Sequence, residues 1–534
     1  LYWINLIKKQ MKKGLYPIVI LSIILIFSYC ENATERPPNI IYILADDLGY
    51  GDIGAFNSEG KIKTPQLDLM AQQGMVFTDA HTTSSVCTPT RYGILTGRYN
   101  WRSPLKKGVL SGTSSGLIPK YRTTVASFLK SQGYQTAFIG KWHLGWNWAL
   151  KDSSFINSNI KNDEIFEKID FTKNISHGPN DLGFDYAYGH CGSLDMPPYV
   201  YVENGKITAP VEKVTVREGD YHWWRSGPTA ADFDHERVSP HFFDKAEAFI
   251  SRMHKQEKPF FLYLPLPSPH TPILPTAEWK GKSGLNPYAD FVMQIDHRVG
   301  RINMLLNKLN LAENTIVIFT SDNGCSPQAK FDVLAEKGHD PSGVFRGHKA
   351  DIYEGGHRVP YIVKWPKKIK AGSVNQNTIC TSDLLATCAD LLGQPLLDNE
   401  GEDSFSLVPL FTNQQESDYG RTFTIHHSIN GSFAIRKGDY KFIFCPGSGG
   451  WSAPRPGRDS FEGLPKFQLY DLKSDPEESN NLYGKKPKVE EELIRLFSDA
   501  IKKGRTRPGA PQANYSTFFS GRNWDPLAVF QTVQ

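Results

Sequence analysis

The residues best equipped for chemistry lie in Ser85-Val86-Cys87-Thr88-Pro89-Thr90-Arg91, where a thiol, a fixed proline and a permanently charged guanidinium share one short stretch. Pro89 fixes its own φ and biases Thr88 towards extended backbone, so Cys87 is expected at a bend and not inside a regular helix. Arg91 is close enough to touch whatever Cys87 touches. A cation beside a thiol lowers its pKa and offers a fork of donors to a tetrahedral oxyanion. The same residues also suit an ordinary buried cysteine next to a surface arginine, because most single cysteines simply pack.

A second group is Asp46-Asp47 with Asp322-Asn323. These supply oxygen ligands only, a set suited to Ca²⁺ or Mg²⁺ and unsuited to zinc. Three carboxylates at close range repel one another unless a cation joins them. Each pair alone is also a common turn former. The metal reading gains because both pairs end apolar runs. Lys141 and His143, two apart around Trp142, point to one side if that segment is extended. His270 sits in a rigid loop between Pro269 and Pro272. Most of the 15 histidines, including His81, His177, His235 and His426, take the ordinary structural reading.

The elements that must position these groups are buried strands. Asn39 to Ala45 is a continuous apolar run that leads into Asp46-Asp47, and three further runs repeat the pattern. Thr136 to Ile139 leads into Gly140-Lys141-Trp142-His143, Phe260 to Leu264 leads towards His270, and Thr315 to Thr320 leads into Ser321-Asp322-Asn323. Amphipathic helices are predicted over Gln66 to Gln73, Thr124 to Gln132, His241 to Met253 and Tyr288 to Leu309. Alternating strands and helices imply an α/β fold with a mostly parallel sheet covered on both faces, whose ligands gather beyond the carboxyl ends of the strands. From about Arg421 the texture changes to short alternating strands, at 433–436, 441–444 and 467–472, consistent with a small antiparallel sheet. The expected organisation is a main domain over 37–420, a C-terminal subdomain over 421–509 and a surface-wrapping tail over 510–534.

With 40% hydrophobic and 22% charged residues the chain is globular, which excludes disorder throughout. Its net charge of +4 comes without a dense Lys/Arg block, so nucleic acid is not an expected partner. Met11-Lys12-Lys13 followed by an apolar run to Phe27 reads as a secretory signal, with residues 1–10 as an upstream extension and the signal ending at Tyr29. The run is shorter than the ~20 apolar residues a membrane span needs, and Pro17 interrupts its start. Cys30, followed by polar residues, resembles the lipidated first residue of a bacterial lipoprotein, although Tyr29 loosens the motif. The expectation is export to the periplasm or cell surface with a lipid anchor at Cys30. Seven cysteines and no C-x-x-C pair exclude a disulfide scaffold and a zinc knuckle.

Cys87 to Arg91, followed by Ile94-Leu95 and Thr96-Gly97, closely resembles the modification signature of the sulfatase family, and Gly133 to His143 resembles its second signature. Lys349, in Arg346-Gly347-His348-Lys349 ahead of Glu354-Gly355-Gly356, matches the family's last active-site lysine, and the likeness extends over nearly the whole mature chain. The resemblance implies that Cys87 is oxidised to formylglycine (3-oxoalanine) by a formylglycine-generating or anaerobic sulfatase-maturating enzyme. It implies one Ca²⁺ held by Asp46, Asp47, Asp322, Asn323 and the formylglycine oxygen, and an alkaline phosphatase-like fold.

By the same resemblance the hydrated aldehyde attacks the sulfur of a sulfate ester, while Arg91, Lys141 and Lys349 hold the sulfate oxygens. His270 protonates the leaving alcohol, with Lys349 as the competing candidate, and His143 helps to expel the sulfate. The expected substrate is a sulfated carbohydrate, such as oligosaccharides from an algal or other external polysaccharide. Specificity is assigned to the stretch from Asp185 to His241, with His190, Asp195, Trp223, Trp224 and Arg225 as substrate contacts. Two other readings are a phosphomonoesterase or phosphodiesterase of the related alkaline phosphatase superfamily, disfavoured by the intact C-x-P-x-R, and a non-catalytic glycan-binding lipoprotein.

Overall fold

The structure, a computed structural model, describes residues 36–152, 162–412, 419–518 and 520–531. The expected signal segment and the lipidation site Cys30 lie outside the described residues. Among the described residues no helix is long and apolar enough to cross a membrane. From Pro38 onward the chain forms one compact unit.

Its centre is a ten-stranded sheet. In spatial order the strands are Ser373–Asn375, Met75–Phe77, Tyr361–Lys364, Thr315–Ser321, Asn39–Asp46, Phe260–Pro269, Gln135–Lys141, Tyr186–His190, Val202–Glu203 and Lys206–Ile207. The five from Thr315–Ser321 to Tyr186–His190 are parallel, and antiparallel strands close both sides. The central strand is buried at all eight positions. That is the physical reason its sequence runs apolar without alternation: helices cover both faces, so neither parity of side chains meets water. Register then aligns the strand ends. Asp46 lies opposite Pro269, and Ala45 lies opposite Ser321. Three neighbouring chains therefore leave the sheet at one level, carrying Asp46-Asp47, His270 and Asp322-Asn323.

The expected helices form as Pro65–Gln72, Val125–Ser131, Val238–Gln256 and Pro287–Lys308. Two are capped as their sequences allow: Thr124 accepts from the Ser127 amide and Asn286 from the Ala289 amide. One expectation is overturned. Cys87 does not sit at an irregular bend but opens the helix Cys87–Thr96, whose preceding residue Val86 is extended. Pro89 falls in the first turn, where backbone N–H groups have no intrahelical partner, so its missing donor costs nothing there.

The C-terminal sheet is antiparallel, in the order Thr424–His427, Phe433–Lys437, Tyr440–Ile443, Gln468–Asp471. It packs beneath the helix Pro487–Lys503, which buries Leu493, Phe497, Ala500 and Ile501. The sequence reading did not extend to this helix, although that spacing is an amphipathic one. The tail returns to the main unit, with the Tyr515 amide donating to the Arg102 carbonyl at 2.9 Å and Lys106 Nζ lying 3.7 Å from the Trp524 ring centre.

Candidate active site

The aligned strand ends assemble one buried cluster. The ligand-capable atoms of Asp46, Cys87 and Asp322 all lie within 4.8 Å of one another, as do those of Asp46, Asp47 and His270. Asn323 donates its side-chain amide to Asp47 Oδ1 at 2.7 Å, and the Asp47 amide donates to Asp322 Oδ1 at 3.2 Å. Asp47 adopts a left-handed φ of 67°, the turn that folds its carboxylate back over the sheet edge. Gly324 lets the loop carrying Lys349 come close, since a Cβ there would stand 1.8 Å from the Gly355 carbonyl oxygen. No larger residue fits that approach.

Each carboxylate has its own cation. Lys141 Nζ is 2.6 Å from Asp46 Oδ2, Lys349 Nζ is 2.7 Å from Asp47 Oδ2, and Arg91 Nη2 is 2.7 Å from Asp322 Oδ2. Arg91 also donates Nε to Asp322 at 3.0 Å and Nη1 to the Lys141 carbonyl at 2.9 Å. Three of its five N–H donors are thus held by protein acceptors, which orients the guanidinium between a carboxylate and a strand end.

Burial alone would raise Asp46, but Lys141, His270 and Arg91 hold it far below the usual carboxylate range, whereas burial and the neighbouring Asp46 push Asp322 up. Lys349 is kept charged by Asp47 in spite of its burial. Burial also pushes the Cys87 thiol up, even with Lys141 and Lys349 nearby. The lowered thiol pKa expected from an adjacent arginine is therefore not found, because desolvation outweighs the cations.

The donor set fits a hard cation. Asp46 Oδ1 and Asn323 Oδ1 are both buried without a hydrogen-bond partner, two lone-pair oxygens that a buried site leaves unpaired only at a cost. With Asp47 and Asp322 they would offer such a cation oxygen ligands only.

The two histidines are oriented by backbone carbonyls. His143 Nε2 donates to the Leu110 carbonyl at 2.8 Å, which leaves Nδ1 as a buried, unpartnered acceptor. Burial and Lys141 hold this ring well below the ordinary histidine range. His143 adopts a left-handed φ of 54°, so the extended alternation assumed for Lys141 and His143 does not hold. The pair shares a site because the chain turns after the strand, with the Trp142 and His143 amides tied to the His190 and Cys191 carbonyls. His270 Nδ1 donates to the Thr271 carbonyl at 2.5 Å, and its Nε2 faces Asp47 Oδ2 at 3.6 Å. The contributions of Leu110 and Thr271 carry no side-chain signature, so no sequence pattern announces them.

Among the predicted substrate contacts the structure separates two sets. His190 is buried, with both nitrogens against the carbonyls of Val200 and Ser193 and its ring stacked on Tyr199. Trp224 stacks on His235 at 3.9 Å between ring centres and donates Nε1 to Thr215 Oγ1. Both are packing residues, which corrects their assignment to the substrate: their polar atoms and faces are already used. Asp195, Trp223 and Arg225 lie together instead, with the Arg225 guanidinium ion-paired to Asp195 and 5.3 Å from the centre of the Trp223 ring.

A mostly parallel sheet delivers carboxylates, lysines and histidines to one edge beside a helix-opening cysteine, a set of groups suited to work on an anionic ester. A family profile described as Sulfatase matches residues 38–394. The chain is 35% identical over 503 residues to an N-acetylgalactosamine-6-O-sulfatase of Bacteroides thetaiotaomicron, covering 87% of this chain and 93% of the relative. It is 32% identical over 467 residues to human arylsulfatase A, covering 85% and 84%. A solved sulfatase structure from work on the metabolism of multiple glycosaminoglycans by B. thetaiotaomicron superposes with a TM-score of 0.73 at 33% identity, covering 87% of this chain and 99% of that one. The chain belongs to the sulfatase family, and it is a sulfuric ester hydrolase.

Proposed function

We propose that this protein removes sulfate from a sulfated carbohydrate, using a formylglycine at position 87 and a bound Ca²⁺. The carbohydrate reading is carried by the 35% identity over most of the chain to an N-acetylgalactosamine-6-O-sulfatase, so a 6-O-sulfated amino sugar is the first substrate to test. Modification of Cys87 is supported by its surroundings. A thiol with a raised pKa is a weak nucleophile and a poor partner for a hard cation, whereas an oxygen there would match Asp46, Asp47, Asp322 and Asn323. Once present, the cation and the aldehyde hydrate supply positive charge and a hydroxyl nucleophile at one point.

The chain's own residues do the rest. Lys141 and Lys349, fixed by their carboxylates, hold the sulfate oxygens and offset charge as it develops. His270, with Nδ1 on the Thr271 carbonyl, presents Nε2 to carry a proton to the departing alcohol. His143, with Nε2 committed to Leu110, offers Nδ1 to take a proton from the hydroxyl at position 87.

Export and lipid anchoring at Cys30 complete the proposal, and Cys30→Ser should move the protein from membrane to soluble fractions. The decisive experiment measures sulfate release from defined sulfated oligosaccharides beside a nitrophenyl sulfate control. Turnover of the aryl sulfate with none on any glycan would overturn the carbohydrate reading.

A further inference from the structure

The segment Tyr221 to Arg225 is fastened at three points to three different active-site loops. The Ile273 amide donates to the Tyr221 carbonyl at 2.7 Å, tying the segment to the loop that carries His270. Trp223 Nε1 donates to Gln328 Oε1 at 3.4 Å, on the turn that follows Asp322-Asn323 and whose Cys325 carbonyl accepts from the Lys349 amide. The Arg225 amide donates to the Asp195 carbonyl at 3.3 Å, in the loop whose Cys191 carbonyl holds His143. A chain pinned to the loops of the acid, the metal ligands and the base runs between them.

Two side chains on this segment are placed for recognition. Arg225 Nη1 donates to the Asp195 carbonyl at 3.2 Å and pairs with its carboxylate, which aims the guanidinium while its side chain stays 52% exposed. Asp195 is 5% exposed, and its Oδ1 is buried with no partner. Tyr199, itself buried, donates to the Arg225 carbonyl at 2.7 Å and holds the pair from below. Trp223 is half-buried and supplies a flat apolar ring beside the cation.

We infer that this segment reads the part of the glycan beyond the scissile ester: Trp223 packs against a sugar face, and Arg225 binds a second anionic group, either a uronate carboxylate or another sulfate. The inference rests on the carbohydrate reading above. A planar guanidinium held by a buried carboxylate is built for bidentate contact with an anion, and its neighbouring ring favours the apolar face of a pyranose.

The test compares wild type, Arg225→Met, Arg225→Lys and Trp223→Ala on three sulfated disaccharides that share the scissile ester. One carries a uronate, one a second sulfate and one neither. Arg225→Met should lower kcat/KM on an anionic disaccharide by about 10- to 100-fold more than on the uncharged one, chiefly through KM, with partial recovery in Arg225→Lys. The disaccharide that shows this dependence identifies the anion. Trp223→Ala should raise KM on all three. Equal losses from Arg225→Met on charged and uncharged disaccharides, or no loss on any, would overturn the inference while leaving the carbohydrate reading intact. A wild type that desulfates none of the three but turns over nitrophenyl sulfate would overturn both, and is recognised before any variant is assayed.

Discussion

Among the described residues, two buried clusters of ionisable side chains hold groups positioned as metal ligands could be. One is the strand-end cluster of Asp46, Asp47, Cys87, Asp322 and His270. The other lies between the main sheet and the C-terminal sheet, where His81, His357 and His426 come within 4.8 Å of one another, as do Asp79, His81 and Glu354. They differ in what is left unpaired. In the second cluster every ring nitrogen has a protein partner: His81 meets His357 and Asp79, His357 meets the Ile352 carbonyl and Lys441, and His426 meets Thr424 and the Thr82 carbonyl. Both acids are matched, Asp79 by Arg436 and Arg358, and Glu354 by Lys441 at 3.0 Å. In the first cluster Asp46 Oδ1, Asn323 Oδ1 and His143 Nδ1 remain open. A closed network adds rigidity, while an open one has capacity for a ligand.

The closed cluster still serves the open one indirectly. The Thr82 amide donates to the His357 carbonyl and the Ser85 amide to the His427 carbonyl, and the Ala350 amide donates to Ser85 at 2.8 Å. The approach to Cys87 and the loop of Lys349 are thereby fastened to each other and to the C-terminal sheet.

The largest effect should come from Cys87→Ala, with sulfate release falling on the order of 10³-fold or more. Mass spectrometry of the wild-type peptide from Thr83 to Arg91 should show 3-oxoalanine at position 87, and fully active enzyme with only unmodified Cys87 would sink the proposed chemistry. Asp46→Asn should follow, with more than about 100-fold loss in kcat/KM and reduced bound Ca²⁺ by emission spectroscopy. Chelation of the wild type should lower both activity and Tm, with Ca²⁺ restoring them. Unchanged metal content in Asp46→Asn would remove that residue from the site.

The closed cluster should respond in stability and not in metal. Lys441→Met leaves Glu354 and Glu478 facing one another without the ammonium that lies 3.0 and 2.9 Å from them, and should lower unfolding free energy by about 3–5 kcal/mol. Denaturant unfolding measures this, and bound Ca²⁺ per folded molecule should not change. A fall in bound metal equal to that in Asp46→Asn would erase the distinction between the clusters. Thr424→Val, which takes one hydroxyl from His426 Nε2, should cost only about 1–3 kcal/mol by the same measurement.

Much of this architecture is legible in the residues themselves. Apolar runs that end in Asp46-Asp47, Lys141, His270 and Asp322-Asn323 announce strands buried on both faces, because only such strands lose the alternation that a solvent-facing side would impose. Hard oxygen ligands, the proline-fixed loop of His270 and the two signatures resembling those of sulfatases likewise need no coordinates. Tertiary structure decided what depends on partners distant in sequence. The strand register sets Asp46 opposite Pro269 and Ala45 opposite Ser321 and so brings three polar clusters to one level. Desolvation outweighs Arg91's neighbourhood and raises the Cys87 thiol, and Arg91 meets Asp322, a partner 231 positions away that no local spacing announces. Trp223 and Trp224 are adjacent and chemically alike, yet one donates to Gln328 and the other stacks on His235. Successive side chains on extended backbone face opposite ways, and what each one meets is fixed only by the packing of the whole chain.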